Sequence, residues 1–396
     1  MTLEEISFLI KKYQFSLKLP DGKRRMTEVL IIGGGVIGLS IARELHKKGV
    51  AEITILERGR VGREASFAAA GMLAAQAEAD RDDDFFQLCN DSNKLYPAFA
   101  RELFGETGID IELEQSGTLY LAFSESDVRA IRHRFDWQRK AHLEVEHWSA
   151  ENVRKFEPFV SPDVREALFF PNDRQVENRK LLAALNKYAA LNCIEIVENA
   201  AVERLLIENG KVSGAAAGER KFTAQTVVLA TGAWTSLIET GGFPLPKVKP
   251  VRGQILTFQT AKRLFQRVLN SPRGYLVPRL DGRILCGATV EEVGFDVGTT
   301  AAGIAFLRAN ALEIAPSLVN LKVTDKWAGL RPCAADGLPV LGAFPEIENL
   351  LTATAHYRSG ILLAPLTAKI IADAIAGGES KYLKSFSPRR FQTVPV

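Results

Sequence analysis

Three glycines at positions 33, 35 and 38 form the part of the sequence whose residue types and spacing most clearly imply chemistry. They lie between an apolar run and a helical pattern, and Glu57 follows a second apolar run. Gly33 permits a tight turn, Gly35 lets the backbone approach a pyrophosphate, and Gly38 lets the helix pack against the strand. The phosphates could then rest on the positively polarised helix N-terminus, with Glu57 at the ribose. Residues 28–57 therefore predict a βαβ dinucleotide-binding unit.

A second candidate for chemistry is Arg331, in the segment W-A-G-L-R-P at 327–332. The flanking glycine and proline indicate a loop, where a planar guanidinium could bind a carboxylate in a bidentate manner. A solvated or domain-bridging arginine is the alternative, because most arginines are exposed. The sequence alone therefore leaves a substrate-binding role open.

Two further segments could lie against the same ligand. Residues 59–72 are rich in small side chains, which allow close approach of the backbone to a cofactor. A tightly packed helix start is the alternative. Gly360 stands just before an apolar helical pattern, so its neighbourhood could present free N–H groups and a positive dipole end to an anionic ring system.

The elements that must position these residues alternate between two types. Helical periodicity and apolar strands favour a parallel α/β domain, whereas residues 247–289 read as strands of an antiparallel sheet. The predicted fold class is α/β, with a Rossmann-like dinucleotide-binding domain interleaved with an α+β substrate-binding domain built on an antiparallel sheet. The first domain is expected at 26–105, 172–245 and 325–385, and the second at 106–171 and 246–324. A flexible tail is expected at 1–25.

Bulk composition excludes several classes of partner. The chain has 396 residues and a formal net charge of +3, with no basic stripe of the kind that binds nucleic acid. Its four cysteines are far apart and its five histidines are scattered, so no metal is predicted and a cytoplasmic, reducing location fits best. The apolar patch at 8–10 is too short for a signal peptide or a membrane span. A targeting arm at the N-terminus has no support.

Five motifs occur in order along the chain: G-G-G-V-I-G at 33–38, A-A-A-G-M-L at 68–73, A-T-G-A-W at 230–234, W-A-G-L-R-P followed by D-G-x-P, and H-Y-R-S-G-I-L-L-A-P at 356–365. Together they resemble the D-amino-acid oxidase family of flavoproteins. The resemblance covers nearly all of the chain after the tail, and the final block is its most specific part.

The resemblance implies a reaction. It is the FAD-dependent oxidative deamination of glycine, and also of sarcosine and small D-amino acids, to the imine or 2-oxo acid. Dioxygen is the expected electron acceptor, with ammonia and hydrogen peroxide as products, and the glycine imine would supply the thiazole ring of thiamine. A homotetramer without membrane attachment is also implied.

The resemblance also implies roles for individual residues. Arg331 would bind the substrate carboxylate, Arg358 would contact substrate and flavin, and Tyr275 would border the substrate, although it could simply be a sheet tyrosine. The flavin would do the chemistry without a catalytic side chain. Cys333 does not occupy the family's covalent position, so FAD should bind non-covalently. The residues implied to bind FAD are Gly33, Gly35, Val36, Ile37, Gly38, Glu57, Arg58, Ala65, Ser66, Ala70, Gly71, Met72, Val202, His356, Tyr357, Arg358, Ser359, Gly360, Ile361 and Leu362.

Two alternatives to an oxidase stay open at this point. A D-amino-acid or sarcosine-type dehydrogenase would pass electrons to a quinone or carrier instead of dioxygen. A flavin-binding module inside a larger assembly would hold FAD without turnover of its own. Peroxide release with glycine would separate both alternatives from the oxidase.

Overall fold

A computed structural model describes residues 27–391 of the chain. The expected tail at 1–25 lies outside these residues. The strands are β1 (Thr27–Ile32), β2 (Ile53–Leu56), β3 (Met72–Leu73), β4 (Thr118–Ala122), β5 (Glu146–Ser149), β6 (Glu166–Phe170), β7 (Arg174–Gln175), β8 (Glu195–Val197), β9 (Arg204–Glu208), β10 (Lys211–Ala217), β11 (Arg220–Leu229), β12 (Val248–Gln259), β13 (Val268–Ser271), β14 (Gly274–Pro278), β15 (Arg283–Gly287), β16 (Val323–Ala334), β17 (Val340–Ala343) and β18 (Leu350–Thr354).

The α-helices are α1 (Val36–Lys47), α2 (Ala65–Ala68), α3 (Asp84–Thr107), α4 (Glu125–Lys140), α5 (Ala150–Phe156), α6 (Asn178–Leu191), α7 (Ala301–Ile314), α8 (Gly360–Ile375) and α9 (Lys381–Ser385). Short 3₁₀ turns occupy 232–237, 316–318 and 388–391. The local sequence explains where helix α3 begins and ends. Helix α3 begins after Asp83, whose carboxylate accepts a hydrogen bond from the N–H of Phe86, and ends at Gly108 in the left-handed conformation.

The first sheet has the strand order β17-β18-β11-β1-β2-β8, in which all neighbours except β17 and β18 run parallel. Strand β1 is buried on both faces, as expected for a central parallel strand. Val29 and Ile31 face a core formed with helices α1, α3, α6 and α8, whereas Leu30 and Ile32 face a core shared with β9 to β11. This sheet carries the predicted βαβ unit.

The second sheet has the order β16-β12-β15-β14-β13-β4-β6-β5, and all its pairs are antiparallel except β13 with β4. One face packs on helix α7. The other face turns Ile255, Tyr275 and Val277 toward Ala70 and Met72 of the first domain. The predicted α/β fold class with a second, antiparallel sheet is therefore confirmed.

The structure alters one detail of the predicted domain division. Strand β16 pairs along its length with β12 in the second sheet, whereas the expected boundary at residue 325 assigns most of it to the first domain. Residues 325–334 thus belong to the antiparallel sheet. The other boundaries stay predictions. No helix within residues 27–391 is long and apolar enough to cross a membrane.

Candidate active site

A cavity of about 970 Å³ extends between the two sheets. Every residue predicted to bind substrate or cofactor lines it, apart from Gly38. Further lining residues, to which no binding role is assigned from the sequence, include Glu78, Cys89, Thr231, Trp234, Gly253 and Ile255. One continuous space thus joins the glycine turn to the arginines of the opposite wall.

The glycine turn forms the first end of this cavity. A Cβ atom at position 38 would lie 1.9 Å from the carbonyl oxygen of Gly33, so Gly38 serves close packing of α1 rather than contact with a ligand. Gly33 has a φ of 112°, which favours glycine. The N–H of Val36 donates to Ser66 Oγ at 3.0 Å. The start of α1 therefore lies at the cavity with its positive dipole end toward it.

Glu57 is fixed by the backbone around it. Its Oε2 accepts from the N–H of Gly34 and its Oε1 accepts from the N–H of Gly59, both at 2.9 Å. Each carboxylate oxygen keeps a further lone pair for a hydroxyl group. Beside it, the Arg58 guanidinium lies over the ring of Trp234, with Cζ 4.3 Å from the centroid. This end of the cavity suits a ribose and an adenine.

The segment at 70–72 brings bare backbone to the cavity. Gly71 has a φ of 72°, and a Cβ atom there would lie 2.1 Å from the carbonyl oxygen of Val176. A side chain at this position would push the segment away from β7. Gly71 is therefore needed for close packing against the main chain at Val176, and residues of 65–72 also line the cavity, so contact of this run with a cofactor stays a prediction.

The loop before helix α8 is strained. Ala355 and Tyr357 have φ values of 58° and 47°, in the left-handed region that non-glycine residues rarely occupy. The N–H of Tyr357 donates to the carbonyl of Pro332 at 2.9 Å, which ties this loop to β16. His356 is buried with Nε2 3.0 Å from Thr367 Oγ1, and burial lowers the pKa of His356 to about 3. Its imidazole is therefore neutral.

Arg331 lies in strand β16, so its predicted location in a loop is wrong. It pairs with Val251 of β12, and its side chain passes over Gly253, the next β12 residue on the same face. Nη1 donates to the carbonyl of Thr289 at 3.0 Å and makes a longer contact of 3.5 Å to the carbonyl of Arg252. The guanidinium is thus held at the cavity wall with further donors that could bind a carboxylate.

Tyr275 is both a sheet residue and a cavity residue. Burial raises the pKa of Tyr275 to about 12, although the charges of Arg331 and Arg358 act in the opposite direction. The phenol is therefore neutral and able to donate a hydrogen bond. Gly287 leaves room for it, because a Cβ atom there would lie 2.3 Å from the phenol oxygen.

Arg358 forms an ion pair that sequence spacing does not reveal. Its Nη2 lies 3.1 Å from Oε1 of Glu78, and the Glu78 charge raises the pKa of Arg358. Both side chains line the cavity and are partly exposed. Because only a tertiary contact joins Arg358 and Glu78, the sequence gives no signal for this pair. Gly253, by contrast, has a sequence signal, since an isolated glycine within a strand indicates that another group approaches the backbone closely.

Asp173 holds the segment that carries Glu78. Its two carboxylate oxygens accept from the consecutive N–H groups of Gln76 and Ala77, at 3.0 and 3.1 Å. Asp173 is fully buried, and desolvation raises its pKa to about 7. In the unfolded chain the Asp173 carboxyl loses its proton near about pH 4, whereas in the folded protein it keeps the proton up to about pH 7. The folded state therefore binds more protons than the unfolded state between about pH 4 and pH 7.

We expect the Asp173 contribution to the free energy of unfolding to fall as pH rises through this range, by a few kcal/mol in order of magnitude. Asp173→Asn should be less stable at low pH, because an amide cannot accept both N–H groups, and should lack this pH-dependent component. Urea unfolding at pH 5 and pH 8 measures it. His356 contributes the opposite slope in both proteins and cancels in the comparison. Equal slopes for the two proteins would contradict the prediction.

Within residues 27–391 no group of three or more histidine, cysteine, aspartate or glutamate residues could hold a metal ion. The donor set fits an extended flavin dinucleotide instead. A helix N-terminus and a glycine turn suit the pyrophosphate, Glu57 suits the ribose, and residues 355–362 also line the cavity. Cys333 lies outside the cavity lining.

Comparison with known proteins assigns the family. The family model for FAD dependent oxidoreductases, DAO, matches residues 28–374. A glycine oxidase of Bacillus licheniformis is 34% identical over 94% of this chain and 99% of its own length. A bifunctional ThiO/ThiG protein of Synechocystis is 37% identical over 93% of this chain, which spans only about half, 54%, of that relative. The crystal structure of glycine oxidase from Geobacillus kaustophilus matches with a TM-score of 0.88 and 34% identity, covering 92% of this chain and 99% of that one. The chain therefore belongs to the DAO family of FAD-dependent oxidoreductases.

Proposed function

We propose that this protein catalyses the FAD-dependent oxidative deamination of glycine, with sarcosine and small D-amino acids as further substrates. The observation that supports this most strongly is the common wall formed by Arg331, Tyr275 and Arg358 in the cavity that suits the dinucleotide. A charged arginine beside a neutral phenol is a suitable receptor for a carboxylate. The similarity to the glycine oxidases agrees with this substrate class.

The side chains act mainly by orientation. Arg331 binds the substrate carboxylate, Tyr275 donates to it from the buried side, and the substrate amine is neutral when the α-hydrogen leaves. The glycine turn, Glu57 and residues 356–362 would hold FAD, which would supply the acceptor for the α-hydride and the route by which both electrons reach dioxygen to give hydrogen peroxide. The nitrogen lone pair forms the C=N bond as the hydride departs, so no side-chain base is required. Water then hydrolyses the imine to the 2-oxo acid and ammonia.

The fate of the imine is part of the proposal. A bifunctional relative, of which this chain spans 54%, carries the name ThiO/ThiG. Delivery of the glycine imine to thiazole formation in thiamine biosynthesis fits that arrangement. Non-covalent FAD, a homotetramer and a cytoplasmic location complete the proposal.

Peroxide release in air with glycine, sarcosine, D-alanine and D-proline tests the proposed activity. We expect peroxide from glycine, and slower flavin bleaching with α-deuterated glycine in anaerobic stopped-flow measurements because the C–H bond breaks in that step. Bleaching without oxygen consumption would assign a dehydrogenase. FAD absorbance that none of the four substrates bleaches would assign a flavin-binding module.

A further inference from the structure

Arg279 is a large buried side chain that the proposed chemistry does not use. It directly follows β14, the strand that carries Tyr275, and is only 2% exposed. Burial of a guanidinium is costly unless its donors are satisfied. The hydrogen-bond partners of Arg279 therefore indicate which parts of the structure it holds together.

These partners belong to the first domain. Nη2 donates to the carbonyl of Ala70 at 2.7 Å, and Nη1 donates to the carbonyl of Val176 at 2.8 Å and to Gln175 Oε1 at 3.3 Å. Gln175 in turn donates from Nε2 to the carbonyl of Pro278 at 3.0 Å. The end of β14 is thus bonded at two points to the cofactor-lining segment and to β7.

Arg279, at the end of β14, packs closely against the 70–72 segment. A Cβ atom at Gly71 would lie 3.0 Å from Nη2 of Arg279 and 2.1 Å from the carbonyl oxygen of Val176. Ala70, Met72 and Tyr275 also pack in one apolar cluster. A shift of Arg279 would therefore move the main chain at 70–72 relative to Tyr275.

The nearby charge does not explain the position of Arg279 by itself. Glu177 Oε2 is 3.5 Å from Nε of Arg279, but Nε is buried without a hydrogen-bond partner among the described residues. Arg283 is closer to the same carboxylate, with Nη2 2.8 Å from Oε2. Burial lowers the pKa of Arg279, and Glu177 opposes this effect. The carbonyl contacts are therefore its best-formed interactions.

We propose that Arg279 is a positioning residue that fixes the 70–72 segment against β14, and thereby sets the flavin relative to the substrate bound at Tyr275 and Arg331. This inference rests on the proposed function. Small displacements of reacting groups are costly, since an error of about 1 Å can reduce the rate about 100-fold. The expected defect is therefore in the reaction of bound substrate rather than in its binding.

The test compares holoenzymes of wild type, Arg279→Gln, Arg279→Lys and the control Arg283→Gln. Arg283→Gln removes the nearer partner of Glu177 but leaves the bonds to Ala70 and Val176. We expect Arg279→Gln to reduce the limiting rate of flavin bleaching by glycine at least about tenfold and to shift the visible flavin spectrum. The glycine dissociation constant should change less than about threefold, and Arg279→Lys should recover part of the rate because its side chain, longer than that of glutamine, can bring a charged donor to the carbonyls.

Both Arg279 variants could keep the wild-type flavin spectrum and the wild-type bleaching rate per bound flavin, and differ only in a lower melting temperature. That result would overturn the proposal and show a merely structural role. If Arg283→Gln slows flavin bleaching as much as Arg279→Gln does, the proposal is also overturned, because the defect would then come from the loss of a partner for the Glu177 charge. If Arg279→Gln does not fold, the flavin spectrum and bleaching rate of Arg279→Lys, compared with those of the wild type, test the proposal instead. If glycine fails to bleach even the wild type, the proposed function fails, while the spectral shift still tests the positioning role.

Discussion

Replacement of Arg331 with methionine should weaken glycine binding by about 30- to 1000-fold. Removal of one partner of a desolvated charge pair costs roughly 2–4 kcal/mol, and methionine keeps much of the length of the side chain without its charge or donors. FAD content should not change, because the hydrogen bonds of Arg331 go to the carbonyls of Thr289 and Arg252. Anaerobic titration of the flavin spectrum with glycine measures the dissociation constant.

Arg331→Lys is the matched variant that retains the positive charge. We expect it to bind glycine with intermediate affinity, because an ammonium cannot make the bidentate contact of a guanidinium. Glycine affinity within twofold of wild type in Arg331→Met would show that the carboxylate binds elsewhere.

Replacement of Gly253 with alanine should reproduce much of the Arg331 defect through one added methyl group. The new Cβ atom would lie 2.2 Å from Nη2 and 2.3 Å from Cζ of Arg331, so the guanidinium must move. The obstructing atoms are the end of a flexible side chain, and the fold should therefore tolerate the change. We expect at least about tenfold weaker glycine binding, since an error of about 1 Å in a positioned group is costly.

Gly105→Ala is the control for this substitution. Gly105 lies within helix α3, and a Cβ atom there would meet nothing within 4 Å. Alanine at this position should leave glycine affinity unchanged and add about 0.5–1 kcal/mol to the free energy of unfolding. Calorimetry and flavin titration on both variants separate stability from binding. Wild-type glycine affinity in Gly253→Ala would refute the expected displacement of Arg331.

The cofactor half of the site is predictable because its signals are local. The turn at 33–38, the flanking strands and Glu57 lie within one short stretch, and their residue types follow from the geometry of the turn. Helix α6, residues 178–191, is likewise accessible to local analysis, because its apolar residues recur at helical spacing.

The substrate half is less predictable because tertiary contacts decide it. Pro332 beside Arg331 indicates a loop, yet β16 is an edge strand of the second sheet, where a proline is tolerated. The Glu78–Arg358 ion pair and the bonds of Arg279 join residues far apart in sequence. Local periodicity carries no information on such pairs.

The strand order of the first sheet also constrains the sequence of events during synthesis. Strand β1 is made well before its neighbour β11, which ends at Leu229, and before the next strand in the sheet, β18, which ends at Thr354. Pairing across such long separations slows folding, and the unpaired apolar edge of β1 is exposed meanwhile. The nascent chain therefore cannot complete the cofactor cavity until residues 355–362 have left the ribosome, so we expect a dependence on chaperones that a domain of consecutive strands would not have.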